Sequence, residues 1–144
     1  MKTFMKTLSA NDVGTTGGHM GGILIPKGDG AMLDFLPRLD ATVINPSAWM
    51  SCQTDDGSSL RLRFVYYNNR LHTHGGTRNE YRITFLTKFL RKAGAKKNDI
   101  FEISKDDATD IYRVRVRSGL PLQQPIADED APPRIRIRTS WHRC

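Results

Sequence analysis

The sequence predicts a mainly β domain with two short helices, built as a barrel or a sandwich. Two observations carry that prediction. Most apolar segments are short and alternate with period two, and only two segments carry the spacing of a helix. Composition agrees, because 144 residues with 38% hydrophobic and 26% charged side chains are enough for one globular core and unlike a disordered chain.

Five segments read as strands. Gly21–Gly28 is a short apolar run ended by Pro26 and Gly28. Leu60–Tyr67 sets Leu60, Leu62, Phe64 and Tyr66 against Arg61, Arg63 and Val65. Asn98–Ser104 places Ile100, Glu102 and Ser104 opposite Phe101 and Ile103. Ile111–Ser118 and Arg134–Trp141 alternate aliphatic side chains with arginine, giving each a core face and a solvated face. Two segments read as helices. Ala31–Leu36 stops before Pro37, and Ile83–Gly94 spaces Phe85 and Phe89 at i and i+4 beside Leu86, Leu90 and Ala93, with Gly94 as the stop. Gln123–Pro133 is acidic and proline-bearing, and reads as a linker or exposed loop.

The formal net charge is +7, unevenly spread: residues 1–60 hold four Lys/Arg against six Asp/Glu, residues 61–144 eighteen against nine. Fourteen of the basic residues are arginine, which favours bidentate recognition of phosphate and guanine over plain charge. That balance points to nucleic acid. Cys52 and Cys144 lie far apart without metal-ligand spacing, as expected of a reducing cytoplasm, and no apolar run is of membrane-spanning or signal-peptide length.

Thr77–Arg82 (TRNEYR) is the densest chemical signal. Arg78 and Arg82 can pair with guanine O6 and N7, Glu80 can accept from the cytosine amino group, and Asn79 can grip adenine or a phosphate. His72–Gly76 (HTHGG) precedes it with glycine freedom to push the segment into a groove; His72 and His74 lack a third ligand and read as loop residues. A second stretch, Leu8–Gly22, mixes five glycines with Asn11, Asp12, Thr15, Thr16 and His19. It is no phosphate loop, since the Gly-Lys-Ser/Thr ending and a following helix are both missing. The arginines of the alternating strands read as solvated sheet faces.

Three blocks, Leu8–Pro26, Phe64–Arg70 and Gly75–Thr84, in that order and spacing and with Asn45–Ser47 between, resemble the N-terminal DNA-binding (effector) domains of EcoRII-type restriction endonucleases. The resemblance covers about residues 8–118 of what reads as one domain over 1–144, with 119–144 as an extension, an extra strand or a linker to a further domain. It implies a DNA-binding pseudobarrel, an open seven-stranded β-barrel. Two arms would clasp the major groove of double-stranded DNA and read a short GC-containing pseudopalindrome of the CCWGG kind, W being A or T. On that pattern Asn11, Asp12, Thr16 and His19 belong to the N-arm readers, and Arg78, Asn79, Glu80, Tyr81 and Arg82 to the C-arm readers. Lys27, Asn68, Arg70, Lys88, Arg91 and Lys92 are expected along the DNA backbone. The family pattern carries Lys at the position of Tyr81 and another near Gly76, so here phosphate contacts are expected either to weaken or to shift their load to Lys88, Arg91 and Lys92.

No Glu-x-Lys or Asp-x-Lys occurs, and no nucleophile has a believable His partner, so the chain is expected to bind without cutting and to need neither cofactor nor metal. A nuclease domain fused to it would do the cutting; the chain itself is expected to be a monomer with no membrane partner. The enzymatic alternative is a small metal-dependent nuclease whose carboxylates, for instance Asp12, Glu80 and Asp110, converge only on folding. A single-strand or RNA binder would want exposed aromatic platforms, whereas Phe64, Tyr66 and Tyr67 sit in a strand that looks core-facing.

Overall fold

The computed structural model describes residues 1–14, 22–119 and 141–143. Among the described residues eight strands form one sheet: β1 (Lys2–Thr7), β2 (Ile23–Ile25), β3 (Ser47–Thr54), β4 (Ser59–Tyr67), β5 (Glu80–Thr84), β6 (Ile100–Lys105), β7 (Tyr112–Arg117) and β8 (Trp141–Arg143). Three short helices accompany them: α1 (Gly30–Phe35), α2 (Asn69–His72) and α3 (Thr87–Lys92). The sheet order is β2-β5-β4-β3-β7-β6-β1-β8, and among the described residues only the β3–β7 pair is parallel. The mainly β, open-barrel expectation matches, with one small addition. A single helical turn, α2, joins the two expected helices, and β8 falls within the 119–144 stretch read as an extension or extra strand, while the rest of the expected strand Arg134–Trp141 and the loop Gln123–Pro133 lie outside the described residues.

The barrel curls around one core. Phe4, Ile23, Ile25, Met50, Leu62, Phe64, Ile83, Phe101, Ile103 and Val114 point inward from seven strands and are essentially inaccessible to water. From α1, Met32 and Phe35 enter that core, where Phe35 meets Phe4 and Tyr112 at ring-centroid distances of 4.8 and 5.3 Å. The Tyr112 hydroxyl donates to the Phe35 carbonyl at 2.8 Å, satisfying the one polar atom its burial would otherwise strand. Burial also pushes the Cys52 thiol up to about 12, which makes it an inert core side chain.

Local chemistry sets the helix ends. The Asp29 carboxylate accepts from the Met32 amide at 3.1 Å as an N-cap, and Leu36 leaves the helix in extended conformation ahead of Pro37. For α3, Gly94 takes φ +67° and the Ala95 amide reaches back to the Leu90 carbonyl at 3.0 Å, closing the helix in a left-handed cap. The expected helix over Ile83–Gly94 is corrected here. Ile83 and Thr84 finish β5, Phe85 turns the chain at φ +68°, and the helix begins only at Thr87. Phe85 is therefore exposed, edge-on to Trp49, while Phe89 packs near Phe101.

Candidate nucleic-acid interface

Two loops flank strand β5. The chain between β1 and β2 rejoins the sheet at the Ile83 end of β5, because Ile23 pairs with Ile83. The loop from β4 to β5, residues 68–79, enters β5 at Glu80, which pairs with Tyr67. Three residues of strand separate the two ends, about 10 Å at the usual rise, against a major groove about 12 Å wide. Between the arms, β5 divides its side chains by pleat. Tyr81 and Ile83 face the barrel core with Tyr66 and Phe64, and Glu80 and Arg82 lie on the opposite side of the sheet with Tyr67 and the buried Val65.

The outward group is a chain of charges. Glu80 Oε2 accepts from Arg78 Nη2 at 2.9 Å and from Arg82 Nε at 2.5 Å. Arg82 Nη1 then donates to the Gly22 carbonyl at 3.0 Å, and the Arg78 guanidinium lies 3.8 Å over the Tyr67 ring. Burial raises the Glu80 carboxyl, but the hydrogen bonds and charges of Arg82 and Arg78 together outweigh it and hold the group below its ordinary value. Both guanidiniums keep unused N–H donors, so the carboxylate orients them without exhausting them.

The C-arm is a built loop. Asn69 Oδ1 accepts from the Arg78 amide at 2.9 Å, and the Arg70 amide donates to the Arg78 carbonyl at 3.0 Å. A Cβ on Gly76 would stand 2.4 Å from the Asn69 carbonyl oxygen, so only glycine lets the loop close this tightly. Asn79 accepts the Tyr66 hydroxyl at 2.5 Å. Arg70 is exposed on α2, and Lys27 is exposed in the turn after β2.

Three expected contact residues are turned into the protein. Tyr81 stacks on Tyr66 at 4.2 Å and 7°, and burial followed by the neighbouring Tyr66 pushes its phenol above its ordinary value. Asp12 Oδ2 accepts from Lys6 Nζ at 2.5 Å and from the Ser9 amide at 3.0 Å, with the carboxylate and ammonium only 8% and 4% exposed. Asn68 is fully buried. Its Oδ1 accepts from the Asn45 amide at 2.7 Å, its Nδ2 donates to the Val43 and Ala41 carbonyls at 2.9 and 3.3 Å, and its amide donates to Asn45 Oδ1 at 3.1 Å. These side chains shape the arms from within. Asn11 is exposed at the N-arm turn, and Thr16 and His19 lie outside the described residues.

The sequence reading missed a groove along the outer face of β4 and against α3. Arg61, Arg63, Lys88, Arg91 and Lys92 line it together with Phe85, in a volume of about 740 Å³. None of these cations forms an ion pair among the described residues, and no carboxylate lines the groove. Arg61 and Arg63 were readable only as the polar face of a strand; the signal they carried was their side of the pleat, shared with Glu80 and Arg82. Two carboxylates of the enzymatic alternative are held in ion pairs, Asp12 with Lys6 and Glu80 with Arg78 and Arg82. Among the described residues no group of three or more His, Cys, Asp or Glu side chains could hold a metal ion, and no helix is long and apolar enough to cross a membrane.

The family model described as restriction endonuclease EcoRII, N-terminal, matches residues 1–102. The chain belongs to the EcoRII N-terminal family. One relative from Escherichia coli, the type II restriction enzyme EcoRII, is 42% identical over 84 residues, which is 56% of this chain. The match spans only 20% of that enzyme's length. Among solved structures, the Arabidopsis FUS3–DNA complex superposes with a TM-score of 0.63 at 17% identity, over 83% of this chain and all of that one. The B3 domain of the UbaLAI restriction endonuclease, solved with cognate DNA, gives 0.51 at 19% identity, over 82% of this chain and 68% of that one. At such identities the two structures share the fold with this EcoRII N-terminal domain, and that fold is the DNA-binding pseudobarrel.

Proposed function

We propose that this EcoRII N-terminal domain binds double-stranded DNA sequence-specifically through the major groove, as the recognition domain of a restriction endonuclease. The observation that carries the reading is the Arg78–Glu80–Arg82 chain at the outer face of β5, set between the points where the two connections join that strand, about 10 Å apart at the usual rise. Both solved structures of the same fold are named as complexes with DNA, which supports the choice of ligand.

In this reading Arg78, Glu80 and Arg82 meet base edges, with Asn79 beside them and Asn11, Thr16 and His19 from the N-arm. Guanidinium forks suit guanine and the carboxylate suits cytosine, which favours a GC-containing pseudopalindrome of the CCWGG kind. Lys27, Arg70, Lys88, Arg91 and Lys92 hold phosphates on either flank, joined by Arg61 and Arg63. Tyr81, Asp12 and Asn68 act from behind, by fixing where the readers stand. The domain works as a monomer and leaves cleavage to a nuclease domain of a longer enzyme.

Selection of bound duplexes from a random pool, followed by sequencing, tests this directly. The expected result is a short enriched pseudopalindrome with G and C at its ends. A pool that comes through without any enriched motif overturns the reading. Incubating the chain with plasmid and Mg²⁺ or Mn²⁺ should leave the DNA intact; cutting would restore the nuclease alternative.

A further inference from the structure

Trp141 lies beyond the residues that the family model matches, and base reading makes no use of it. Among the described residues its strand, β8, stands at one end of the sheet order and β2 at the other. In β8, Trp141 pairs with Lys6 of β1, the strand that leads into the N-arm. Its indole Nε1–H donates to the Leu24 carbonyl of β2, the strand that leads out of the arm, at 3.2 Å. One side chain thus ties both roots of the N-arm together across the open seam of the barrel.

The same residue walls in the arm's internal anchor. Lys6 also pairs with Phe101 of β6, and the Phe101 and Trp141 rings meet at 5.8 Å across the strand that carries Lys6. Trp141 is 7% exposed and Lys6 3%. The buried Lys6 ammonium reaches the Asp12 carboxylate, which in turn fixes the Ser9 amide in the first turn of the arm. Exclusion of water from this pair strengthens it and sharpens its geometry.

We infer that Trp141 is a positioning residue for DNA discrimination: it clamps the two roots of the N-arm, so that sequence reading depends on a side chain that touches no DNA. Its effect on discrimination rests on the function proposed above; its effect on the arm does not. The C-terminal strand is then the element through which anything attached beyond it bears on the reading arm.

The test uses the full chain carrying Trp141→Phe or Trp141→Ala, with a thermal melt to establish folding. Amide hydrogen exchange is followed at residues 8–14 and 22–25, with the C-arm residues 69–79 as internal reference. The expected result is exchange about tenfold faster at the N-arm roots in Trp141→Ala, the equivalent of one lost hydrogen bond, with the C-arm unchanged. Binding is then compared between a duplex carrying the selected site and a scrambled duplex of equal length. Discrimination should fall about tenfold while scrambled binding stays within about twofold. Trp141→Phe keeps a ring against Phe101 but lacks the N–H, and should fall between; it carries the test alone if Trp141→Ala does not fold. Uniformly faster exchange throughout the barrel, or full discrimination in a folded variant, overturns the inference. If the wild-type chain selects no site at all, the proposed function fails, and the exchange result still decides whether Trp141 holds the arm.

Discussion

Arg82 and Gly22 meet across neighbouring strands, the guanidinium Nη1 donating to the glycine carbonyl at 3.0 Å. Sixty positions apart in sequence, they join the end of the β1–β2 connection to the strand that carries the proposed base readers. The same glycine has φ +91°, and a Cβ there would stand 2.3 Å from the Ile83 carbonyl oxygen. Position in this interface is therefore set by backbone contact as much as by charge.

Gly22→Ala should destabilise the domain by about 2 kcal/mol or more, since the added carbon meets backbone and the φ is unfavourable for any L side chain. Urea denaturation checks this. A stability within error of wild type would show that the arm junction can move aside.

Glu80→Ala removes the acceptor shared by Arg78 and Arg82. With both forks released, preference for the selected site over its scrambled counterpart should drop by about 1–3 kcal/mol, and Arg78→Ala should behave alike. Lys92→Ala, exposed on α3, should instead weaken all duplexes by similar factors and lower the salt slope by about one. Titrations of cognate and scrambled duplexes at several salt concentrations separate the two classes. Equal losses on both duplexes for Arg78→Ala would remove it from the base-reading set.

The charge chain also predicts a pH dependence. Glu80 is held below its ordinary value of 4.5 in the folded state, so its contribution is present above that value and is lost as pH falls through the depressed one. Asp56, held at about 2 by the Thr54 hydroxyl and then the Ser58 amide, contributes in the same acid range. The difference between wild type and Glu80→Gln isolates Glu80. Wild type should lose more stability than Glu80→Gln on acidification below pH 4.5, and the two should run parallel above it; a difference that grows instead between pH 6 and 8 would assign the effect elsewhere.

Asn68 supplies the fourth prediction. Fully buried, it answers the Asn45 amide and two carbonyls with one side chain. Asn68→Ala should cost about 2–4 kcal/mol, because those groups are left buried without partners. The C-arm that begins at Asn69 should loosen with it, visible as faster amide exchange over residues 69–79 than in wild type.

What the sequence made legible follows from where alternation was clean. Strands β4, β6 and β7 were readable because apolar and charged side chains took turns in them. Strand β1 hides its pattern by placing Lys6 on the core side between Phe4 and Leu8, where only the folded chain supplies Asp12 as its partner. In β5 the run Glu80–Thr84 is short and mostly polar, so its chemistry was legible and its strand was not. The turn at Phe85 was invisible because a phenylalanine with positive φ follows no local rule. Arg78, Glu80 and Arg82 were found as a chemical set, but their order as donor, shared acceptor and donor depends on the pleat. Asn68 and Asn45 each stood out, yet their reciprocal hydrogen bonds span 23 positions.

The buried pair of Lys6 and Asp12 allows stability and recognition to be pulled apart. Removing one partner strands the other charge in the core, so Lys6→Met alone should cost about 3–5 kcal/mol. The double variant Lys6→Met with Asp12→Leu removes both charges from a buried site and should recover most of that loss, since a well-packed apolar pair often matches a buried ion pair. Recognition should not recover with it. The Asp12 carboxylate also accepts the Ser9 amide, and leucine cannot hold that turn. We therefore expect the double variant to melt near wild type while discriminating its selected site poorly, with scrambled-duplex binding retained. A double variant that is both stable and fully discriminating would mean that the N-arm needs no ionic anchor, and that its shape is set by the strands alone.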